Sequence, residues 1–496
     1  MAGKKPYKVI DVFAGPGGLG EGFAALRHEE KLLFQLALSI EKDLDAHSTL
    51  MLRSFYRQFD PARIPQEYWS YAKGDITKAE LFKSHQLQVK AAVEEARCIE
   101  LGKTPQHELK NLISQKLNGS ENWVLVGGPP CQAYSLVWRA RMRSTNPDFE
   151  DDVRHFLYKE YLRIIADHRP PVFVMENVKG ILSAQHAGKK IIEIILRDLK
   201  KPDEALNTRS SGLGYRLFSL AVNKRPEHCE PEDFLVKAEE YGIPQARHRM
   251  LILGIRNDLK ITPETLQKSE TASVAQAIGD LPKMRSTVSR EPDSLEVWRK
   301  IIGSITSEAW YREGRNTRLS QTIEKIDEAL IKIQELELMA GAESMSYTDT
   351  PRILSGWYRH GCDGVVTNHT GRCHMRSDLH RYLFVSAYAA ANGKSVHLSD
   401  FPSTLLPAHR NVQEGIQNNH FSDRFRVQVA EQPSTTITSH ISKDGHYFIH
   451  FDPSQCRSLT VREAARLQTF PDSYKFEGGR TSQYHQVDNA GHRDCP

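Results

Sequence analysis

Residues 7–30 read YKVIDVFAGPGGLGEGFAALRHEE, and this stretch decides the fold. An apolar strand from Val9 to Phe13 runs into a glycine-rich turn at 15–20, and a helical pattern continues to Leu26. Glycines at a strand-to-helix turn let the backbone approach a ligand closely, and the helix N-terminus offers N–H groups to that ligand. The glycine spacing is not the dinucleotide fingerprint. The stretch therefore predicts the opening of a Rossmann-like α/β sheet that binds its ligand at the carboxyl ends of the strands.

Two acidic positions further along the chain indicate a nucleoside ligand. A second apolar strand, FQLALSIEKD at 34–43, contains Glu41 at its end. An acidic side chain about 20 residues past the turn can hold ribose hydroxyls. Asp75 in AKGDIT is a further carboxylate that could reach an adenine amino group, with Ile76 against the ring. Each signal alone is common in proteins, but together they predict a nucleoside pocket.

The stretch VLVGGPPCQAYSLVWRAR at 124–141 brings a cysteine to the end of a buried strand. An unpaired cysteine considered alone is more often a small buried hydrophobe than a reactive group. Here the glycines at 127 and 128 allow a turn, and Pro129 and Pro130 prevent the strand from continuing. Because open α/β sheets bind ligands at the carboxyl ends of their strands, Cys131 is predicted to face a cleft, where it can act as a nucleophile.

The composition limits the class of protein. A chain of 496 residues with 39% hydrophobic content is long enough for two or three domains with a sizeable core. No apolar run approaches the ~20 residues that a membrane-spanning helix needs, and the start MAGKKPYKVI lacks a signal peptide's apolar region, so a cytoplasmic protein is expected. The seven scattered cysteines argue against a disulfide framework. A net charge of +4 is compatible with a polyanionic partner but does not require one.

Five sequence blocks, in this order along the chain, resemble those of the DNA (cytosine-5-)-methyltransferases. They are DVFAGPGGLGEGF (11–23), GGPPCQAYS (127–135), VFVMENVKG (172–180), YGIPQARHRMLILGI (241–255) and RSLTVREAARLQTFPDSYKF (457–476). A match to one block arises easily by chance, but five in the family's order do not. The resemblance implies a Rossmann-like S-adenosylmethionine-dependent methyltransferase sheet with a second, variable target-recognition domain.

The resemblance also implies a methyl donor and a set of residues that hold it. S-adenosylmethionine supplies the electrophilic methyl group, so no metal is expected. The expected cofactor residues are Phe13, Gly15, Gly17, Gly18, Glu41, Asp75, Ile76 and Asn489.

The family's chemistry assigns roles to four catalytic residues. Carbon 5 of cytosine is a poor nucleophile, so the Cys131 thiolate is expected to add to carbon 6 first. Glu176 would hydrogen-bond N3 and the exocyclic amine of the base. Arg247 and Arg249 alternate along an extended segment, so they are predicted to share a face and reach the cytosine O2 and adjacent phosphates; a charged strand face is the alternative. Ser135 is expected to touch the backbone of the target nucleotide. Base flipping is implied, because the ring faces are inaccessible in a duplex.

The leading hypothesis is a monomeric, sequence-specific methyltransferase of double-stranded DNA in a bacterial restriction-modification system, with a cognate restriction endonuclease acting on the same site. Two alternatives remain open. One is a tRNA cytosine-5 methyltransferase, since a branch of this fold does that chemistry. The other is a catalytically impaired DNA-binding member of the family. Two departures motivate the last: Trp138 and Asp488 stand where relatives have glycine, and the family's final helix is not found after Asp488.

Three domains are predicted: a catalytic domain at 1–257, a target-recognition domain at 258–455, and a segment at 456–496 that returns to the catalytic domain. Helical insertions are expected at about 78–118 and 290–345, without an assigned role. The stretch 368–390, rich in histidine and arginine, is predicted to contact phosphates and base edges. Thr460 and Glu463 predict a capping box. The zinc-type ligands Cys362, His369, Cys373 and His374 fit no standard spacing, which disfavours a zinc site.

Overall fold

The central element is a mostly parallel, eight-stranded sheet. It lies within a computed structural model that describes residues 5–29, 31–130, 154–186, 188–209, 211–341, 344–347, 354–407, 412 and 424–488. Its strands are β1 (Tyr7–Val12), β2 (Phe34–Glu41), β3 (Ala96–Cys98), β4 (Trp123–Gly127), β5 (Val172–Val178), β6 (Tyr215–Ser219), β7 (Leu235–Lys237) and β8 (His248–Arg256).

The strand order across the sheet is β6-β8-β5-β4-β1-β2-β3, and β7 also pairs with β8. Strands β1 to β5 are parallel to one another, whereas β8 is antiparallel to β5, β6 and β7. Strand β4 is an apolar run that is buried throughout, and β1 is buried from Val9 to Val12, as expected for parallel strands covered by helices. The predicted Rossmann-like fold class is confirmed.

The helices of the first half of the chain cover the sheet or pack against the helices that do. They are α1 (Gly18–Ala25), α2 (Leu44–Tyr56), α3 (Gln66–Lys73), α4 (Lys78–Ser84), α5 (Gln86–Glu95), α6 (Gln106–Leu117), α7 (Arg154–His168), α8 (Ile191–Lys200) and α9 (Pro202–Ala205). Helix α8 shows why these segments are helical. Its isoleucines and leucines recur at helical spacing, and Ile191, Ile192, Ile195, Leu196 and Leu199 form one buried stripe.

The predicted insertion at 78–118 is helical, but it also contains a strand of the central sheet. Strand β3 lies between α5 and α6, and it pairs in parallel with β2 so that Cys98 is opposite Glu41. The N–H of Ile99 then donates to the carbonyl of Glu41 at 3.0 Å. The expectation of a purely helical insertion is therefore wrong, because this short strand extends the sheet at its β2 edge.

The second half of the chain is largely helical around its own apolar core. Its helices are α10 (Val274–Ile278), α11 (Leu295–Gly303), α12 (Ala309–Glu313), α13 (Ser320–Glu335), α14 (Ser355–Tyr358), α15 (Arg376–Asn392), α16 (Val461–Leu467) and α17 (Arg480–Asp488). Helices α11, α13 and α15 pack together through Trp298, Ile326 and Leu383, each of which is fully buried. This confirms the predicted amphipathic helices near 290–345.

Helix α16 begins with the predicted capping box. The Thr460 hydroxyl accepts from the N–H of Glu463, and the Glu463 carboxylate accepts from the N–H of Thr460. The same carboxylate pairs with Arg457 at 2.6 and 2.7 Å. Burial alone would raise the pKa of Glu463, but the Arg457 guanidinium holds that pKa well below its ordinary range. Glu463 therefore stays charged in the core, where a buried charge requires a partner.

The segment after α16 contacts the sheet-covering helices. The Tyr68 hydroxyl donates to the carbonyl of Ser473 at 2.9 Å, and the Tyr474 hydroxyl donates to the carbonyl of Pro16. The Glu477 carboxylate pairs with Lys78 at 2.5 Å. The Tyr474 bond holds the segment against the glycine turn, and the other two contacts hold it against α3 and α4. Across the described ranges, no helix has both the length and the apolar character needed to cross a membrane.

Candidate active site at the carboxyl edge of the sheet

A pocket of about 480 Å³, including space open to solvent, lies at the carboxyl ends of the first four strands. This is the position at which the strand order reverses, because β2 and β4 lie on opposite sides of β1. Ligands of open α/β sheets bind at such a point. The lining residues are Phe13, Gly15, Ile40, Glu41, Lys42, Ile99, Leu101, Gly128, Pro130 and Leu157.

The glycine turn after β1 forms one wall of this pocket. Phe13 and Gly15 adopt positive φ angles of 60° and 58°, and Gly17, at φ 102°, caps α1, which begins at Gly18. A Cβ atom on Gly17 would lie 2.8 Å from Leu50 Cδ1 and 2.9 Å from the Tyr474 hydroxyl. Both the backbone conformation and the close packing therefore require glycine at this position.

Glu41 is buried at the end of β2 and faces this turn. Its Oε2 atom accepts from the N–H of Gly15 at 2.9 Å, and its Oε1 atom accepts from the N–H groups of Lys42 and Asp43 at 2.7 and 2.6 Å. These bonds fix the carboxylate in the pocket wall. Three of the predicted cofactor residues, Phe13, Gly15 and Glu41, therefore line this pocket. A fourth, Gly17, lies in the turn that forms one wall of the pocket.

Asp75 and Ile76 do not lie in this pocket. Asp75 follows helix α3 rather than a strand, and it is exposed; its N–H donates to the carbonyl of Ser70 at 2.9 Å. Ile76 packs into a separate helical cluster that contains Tyr68 and Leu81. The residues that follow the third strand of the sheet are 99–101, and Ile99 and Leu101 line the pocket. Sequence analysis did not identify Ile99 and Leu101 as pocket residues. They belong to the short segment ARCIEL after α5, which the helical patterns on either side made difficult to recognise as a strand.

Asp11 lies in β1, below the glycine turn, and is almost completely buried. Burial raises the pKa of its carboxyl to about 7, although the Arg57 guanidinium and the N–H of Gly20 favour the charged form. The other charged side chains near Asp11 pair with one another: Arg53 and Arg57 form ion pairs with Glu21 at 2.5 and 3.1 Å. Asp11 is thus a buried acid that changes its charge near neutral pH.

We expect the replacement Asp11→Asn to have a pH-dependent effect on stability. Between the ordinary pKa of an aspartate and about 7, folded Asp11 holds a proton that the unfolded chain has lost, so wild-type stability falls as pH rises. The Asn variant does not titrate, and its stability relative to wild type should rise by about 3 kcal/mol between about pH 5 and about pH 8. Thermal melts of both proteins at the two pH values test this. An equal difference at both pH values would contradict it.

Glu176 and Arg249 form an ion pair at the same edge of the sheet. Glu176 lies in β5 and Arg249 in β8, and the Arg249 Nε atom is 3.0 Å from Glu176 Oε1. Arg249 is opposite Val178 in the antiparallel register, so its side chain reaches Glu176 diagonally. Both side chains are largely buried. The pair combines a hydrogen-bond acceptor with a cation, as recognition of a polar heterocycle requires.

Arg247 makes a different contact from Arg249. Its Nη2 atom donates to the backbone carbonyl of Asp488, the last residue of α17, at 3.3 Å. A guanidinium at the C-terminal end of a helix also interacts favourably with the helix dipole. The two arginines, which were predicted to share one face, therefore contact different elements. Of the other predicted site residues, Cys131, Ser135, Trp138 and Asn489 lie outside the described residues.

The residues weighed as zinc ligands have other partners. His369 lies between the Thr460 hydroxyl and the carbonyl of Pro282, each at 2.9 Å, and burial lowers its pKa to about 4. The Cys362 thiol donates to the carbonyl of Val365, His374 contacts Ser458, and Cys373 is exposed. Among the described residues, no group of three His, Cys, Asp or Glu side chains could hold a metal.

The stretch 368–390 is mostly part of a buried core rather than an exposed DNA-contacting surface. Helix α15 buries Leu379, Tyr382 and Leu383, and the stretch before it buries Arg372 and His374. The expectation that this stretch reads phosphates and base edges is therefore not supported for these residues. Their polar groups are paired inside the protein instead.

The sheet order, the glycine turn, the strand-end glutamate and the carboxylate–guanidinium pair define a Rossmann-like methyltransferase. The chain belongs to the C-5 cytosine-specific DNA methylase family, whose model matches residues 95–490. It is 29% identical to the type II methyltransferase M.Bpa9945I of Bacillus paralicheniformis, over 97% of this chain and 95% of that protein. It is 24% identical to the type II methyltransferase M.DdeI of Desulfomicrobium norvegicum, over 97% and 85%.

A solved structure of a prophage-encoded DNA modification methyltransferase from E. coli has the same fold. It superimposes with a TM-score of 0.50 over 97% of this chain and 94% of that chain, at 18% sequence identity. The family model and the type II relatives identify the protein as a DNA (cytosine-5-)-methyltransferase.

Proposed function

We propose that this protein methylates carbon 5 of a flipped cytosine in a specific sequence of duplex DNA, with S-adenosylmethionine as the methyl donor and Cys131 as the nucleophile. One observation carries the proposal. The nucleoside-type pocket and the Glu176–Arg249 pair lie at the same edge of the sheet, on either side of the exit from β4, and this strand leads through Pro130 to Cys131.

The residues that line the pocket fit the parts of S-adenosylmethionine. Ile99 and Leu101 offer apolar surface for the adenine ring, the Glu41 carboxylate can accept from ribose hydroxyls, and the turn at Gly15 lets the chain approach the methionine part. Asn489 is proposed as a further contact. The bound cofactor supplies an electrophilic methyl group.

The residues of the chain prepare the base for methylation. The Cys131 thiolate adds to carbon 6, forming a C–S bond and moving electron density to carbon 5. Glu176 hydrogen-bonds N3 and the exocyclic amine and favours protonation of N3 as charge builds on the ring. Arg249 orients the Glu176 carboxylate and donates toward the O2 atom. After carbon 5 gains the methyl group, its proton passes to a water molecule and N3 gives up the proton that it gained. The electrons of the C5–H bond form the C5–C6 double bond, and the C–S bond breaks to release the Cys131 thiolate and 5-methylcytosine.

The biological setting is proposed from the relatives. M.Bpa9945I and M.DdeI are both named type II methyltransferases, which supports a restriction-modification system with a cognate endonuclease for the same DNA sequence. We propose that the methyltransferase acts as a monomer, since one chain carries both the cofactor-type pocket and the Glu176–Arg249 pair.

The proposal is tested by incubating the protein with tritiated S-adenosylmethionine and either duplex DNA or tRNA. Label should enter DNA and not tRNA, and bisulfite sequencing should locate it at cytosines that share one flanking sequence. Label in tRNA alone would overturn the DNA substrate. Label in neither would favour the inactive DNA-binding alternative that Trp138 and Asp488 suggested.

Glu41 and Asp75 provide a matched pair for testing the cofactor site. The replacement Glu41→Ala removes the acceptor for the Gly15 N–H and for ribose, so S-adenosylhomocysteine should bind at least about tenfold more weakly by calorimetry. Asp75→Ala removes an exposed carboxylate outside the pocket and should leave the affinity unchanged. If Asp75→Ala weakens binding as much as Glu41→Ala does, our placement of the adenine site is wrong.

A further inference from the structure

The backbone of Arg247 is held in place immediately before β8. Its N–H donates to the carbonyl of Gln245 at 2.8 Å, and its carbonyl accepts from the N–H of Ala238 at 3.0 Å. Gln245 is fully buried, and its side chain donates to the carbonyl of Leu467, the last residue of α16, at 3.4 Å. Arg247 therefore extends its side chain from a backbone that two neighbouring elements fix.

The Arg247 side chain reaches the end of helix α17. Its Nη2 atom donates to the carbonyl of Asp488 at 3.3 Å, and Asp488 is buried. The last carbonyls of a helix have no partner within the helix, and they carry the negative end of its dipole. The Arg247 guanidinium supplies both a donor and a positive charge at this end, so it holds α17 in place.

Helix α17 is also bonded to α2, two residues before its end. Gln486 is buried, and its Oε1 atom accepts from the hydroxyl of Thr49 in α2 at 2.5 Å. The same hydroxyl accepts from the N–H of Glu477 at 2.8 Å, and the Gln486 Nε2 atom donates to the carbonyl of Glu477 at 2.8 Å. Buried hydrogen bonds between rigid elements transmit a displacement from one element to the next. A shift of α17 at its Arg247 end would therefore move α2.

Helix α2 supports two walls of the cofactor-type pocket. It begins after Asp43, whose N–H donates to the Glu41 carboxylate at 2.6 Å. Leu50, the neighbour of Thr49, packs against the glycine turn so closely that a Cβ atom on Gly17 would lie 2.8 Å from its side chain. The positions of Glu41 and of the glycine turn thus both depend on the position of α2.

We propose that Arg247 is a positioning residue for the cofactor pocket and does not contact the target base. By holding the end of α17, Arg247 keeps α2 where Glu41 and the glycine turn can bind the methyl donor. Arg249, two residues further along, pairs with Glu176 and serves the base in the proposed mechanism. The inference rests on the proposed function of the pocket and goes beyond it, because it gives the two arginines separate tasks.

The first test measures the affinity for S-adenosylhomocysteine by calorimetry in the absence of DNA. Arg247→Ala should weaken binding about tenfold, because a hydrogen bond from a charged donor to the helix end is lost. Arg247→Lys should recover part of this loss, since an ammonium group can still donate to the carbonyl. Thr49→Val, at the other contact of α17, should also weaken binding. The double variant of Arg247→Ala and Thr49→Val should lose no more than the larger single effect, because both changes release the same helix.

Steady-state methylation then separates Arg247 from Arg249. Arg247→Ala should raise KM for S-adenosylmethionine about tenfold, with kcat and KM for DNA within about twofold of wild type. Arg249→Ala should lower kcat and leave the affinity for S-adenosylhomocysteine unchanged. If Arg247→Ala keeps the wild-type affinity for S-adenosylhomocysteine and instead lowers kcat or raises KM for DNA, Arg247 contacts the DNA and the inference is wrong.

Arg256 is the matched control at the other end of β8. Its Nη1 atom donates to the carbonyl of Arg169 at 2.7 Å, so it makes a guanidinium-to-carbonyl bond of the same kind without touching α17. Arg256→Ala should leave the affinity for S-adenosylhomocysteine unchanged. Equal losses in Arg256→Ala and Arg247→Ala would mean that loosening β8 weakens the pocket, which would overturn the inference. If wild type binds no S-adenosylhomocysteine, the proposed function of the pocket has itself failed.

Discussion

Replacing Cys131 by serine is expected to lower the rate of DNA methylation by at least about 10⁴-fold, the largest effect that we expect from any single substitution. In the mechanism that we propose, the thiolate adds to carbon 6; a cysteine ionises at a pKa near 8.5, whereas a serine hydroxyl does not ionise at neutral pH. The variant differs from wild type by one atom, so folding and cofactor binding should be preserved. Single-turnover methylation of the preferred duplex, with S-adenosylhomocysteine affinity as a second readout, measures the change.

Cys98 provides the matched control for this experiment. It is an exposed cysteine at the end of β3, and its thiol lies 3.7 Å from the carbonyl of Lys42, beside the pocket. Cys98→Ser should keep the wild-type rate. A duplex with 5-fluorocytosine at the target position should trap wild type covalently, because fluorine replaces the proton that must leave carbon 5. Trapping that persists in Cys131→Ser, or that is absent from wild type, would remove Cys131 from the mechanism.

The first strand and its turn were the most predictable part of this protein. The alternation of mostly apolar strands with glycine turns indicates a parallel sheet, because strands covered by helices on both faces expose little polar surface. The position of Glu41 could also be predicted from a local pattern. Its distance along the chain from the glycine turn is set by the length of one helix and one strand. Local patterns of this kind carry their own geometry, so the meeting of the glycine turn and Glu41 at one pocket could be expected from sequence.

The position of β3 could not be predicted in the same way. This strand has three residues, Ala96–Cys98, and it directly follows helix α5, so its pattern has no period of its own. Asp75 has the residue type that the site needs, in a glycine-containing stretch, but it follows a helix. A short strand is specified by its pairing with β2, which is a long-range contact that local sequence does not encode.

The histidines and arginines of the second half of the chain show a further limit of prediction from sequence. Arg372 and His374 lie in a sequence that is typical of nucleic-acid contacts, yet both are buried. Arg457 and Arg466 are also buried, and each pairs with a carboxylate, Glu463 or Asp472. A charged residue is usually solvated, and only its partner makes burial possible. The carboxylate partners of Arg457 and Arg466 are six residues away, but the carbonyl of Ser442 that Arg372 contacts is 70 residues away. Residue type alone therefore could not separate Arg372 in the core from Lys443 at the surface.

The second large effect is expected for Glu176→Gln, which should lower kcat for methylation by about 10³-fold and change KM for DNA little. Gln keeps the shape of the side chain but removes the charge that, in the proposed mechanism, favours protonation of N3. That charge is expected to matter only as the ring accepts electrons from the thiolate. The variant also loses the ion pair with Arg249, in which the two atoms are 3.0 Å apart. Pre-steady-state methylation at saturating duplex and cofactor separates kcat from KM.

Glu239→Gln is the matched control for this prediction. The Glu239 carboxylate pairs with His248 at 2.7 Å, and His248 is the residue next to Arg249 at the start of β8. Glu239→Gln therefore removes a charge of the same kind from the same strand end, but from a carboxylate that is not assigned to the base, and it should leave kcat within about threefold of wild type. Equal losses in the two variants would mean that the charge acts by holding β8 in place. If only Glu176→Gln loses activity, and it also forms the 5-fluorocytosine adduct more slowly, the affected step is addition of the thiolate. In the proposed mechanism, this is the step at which charge on N3 must be neutralised before the methyl group is transferred.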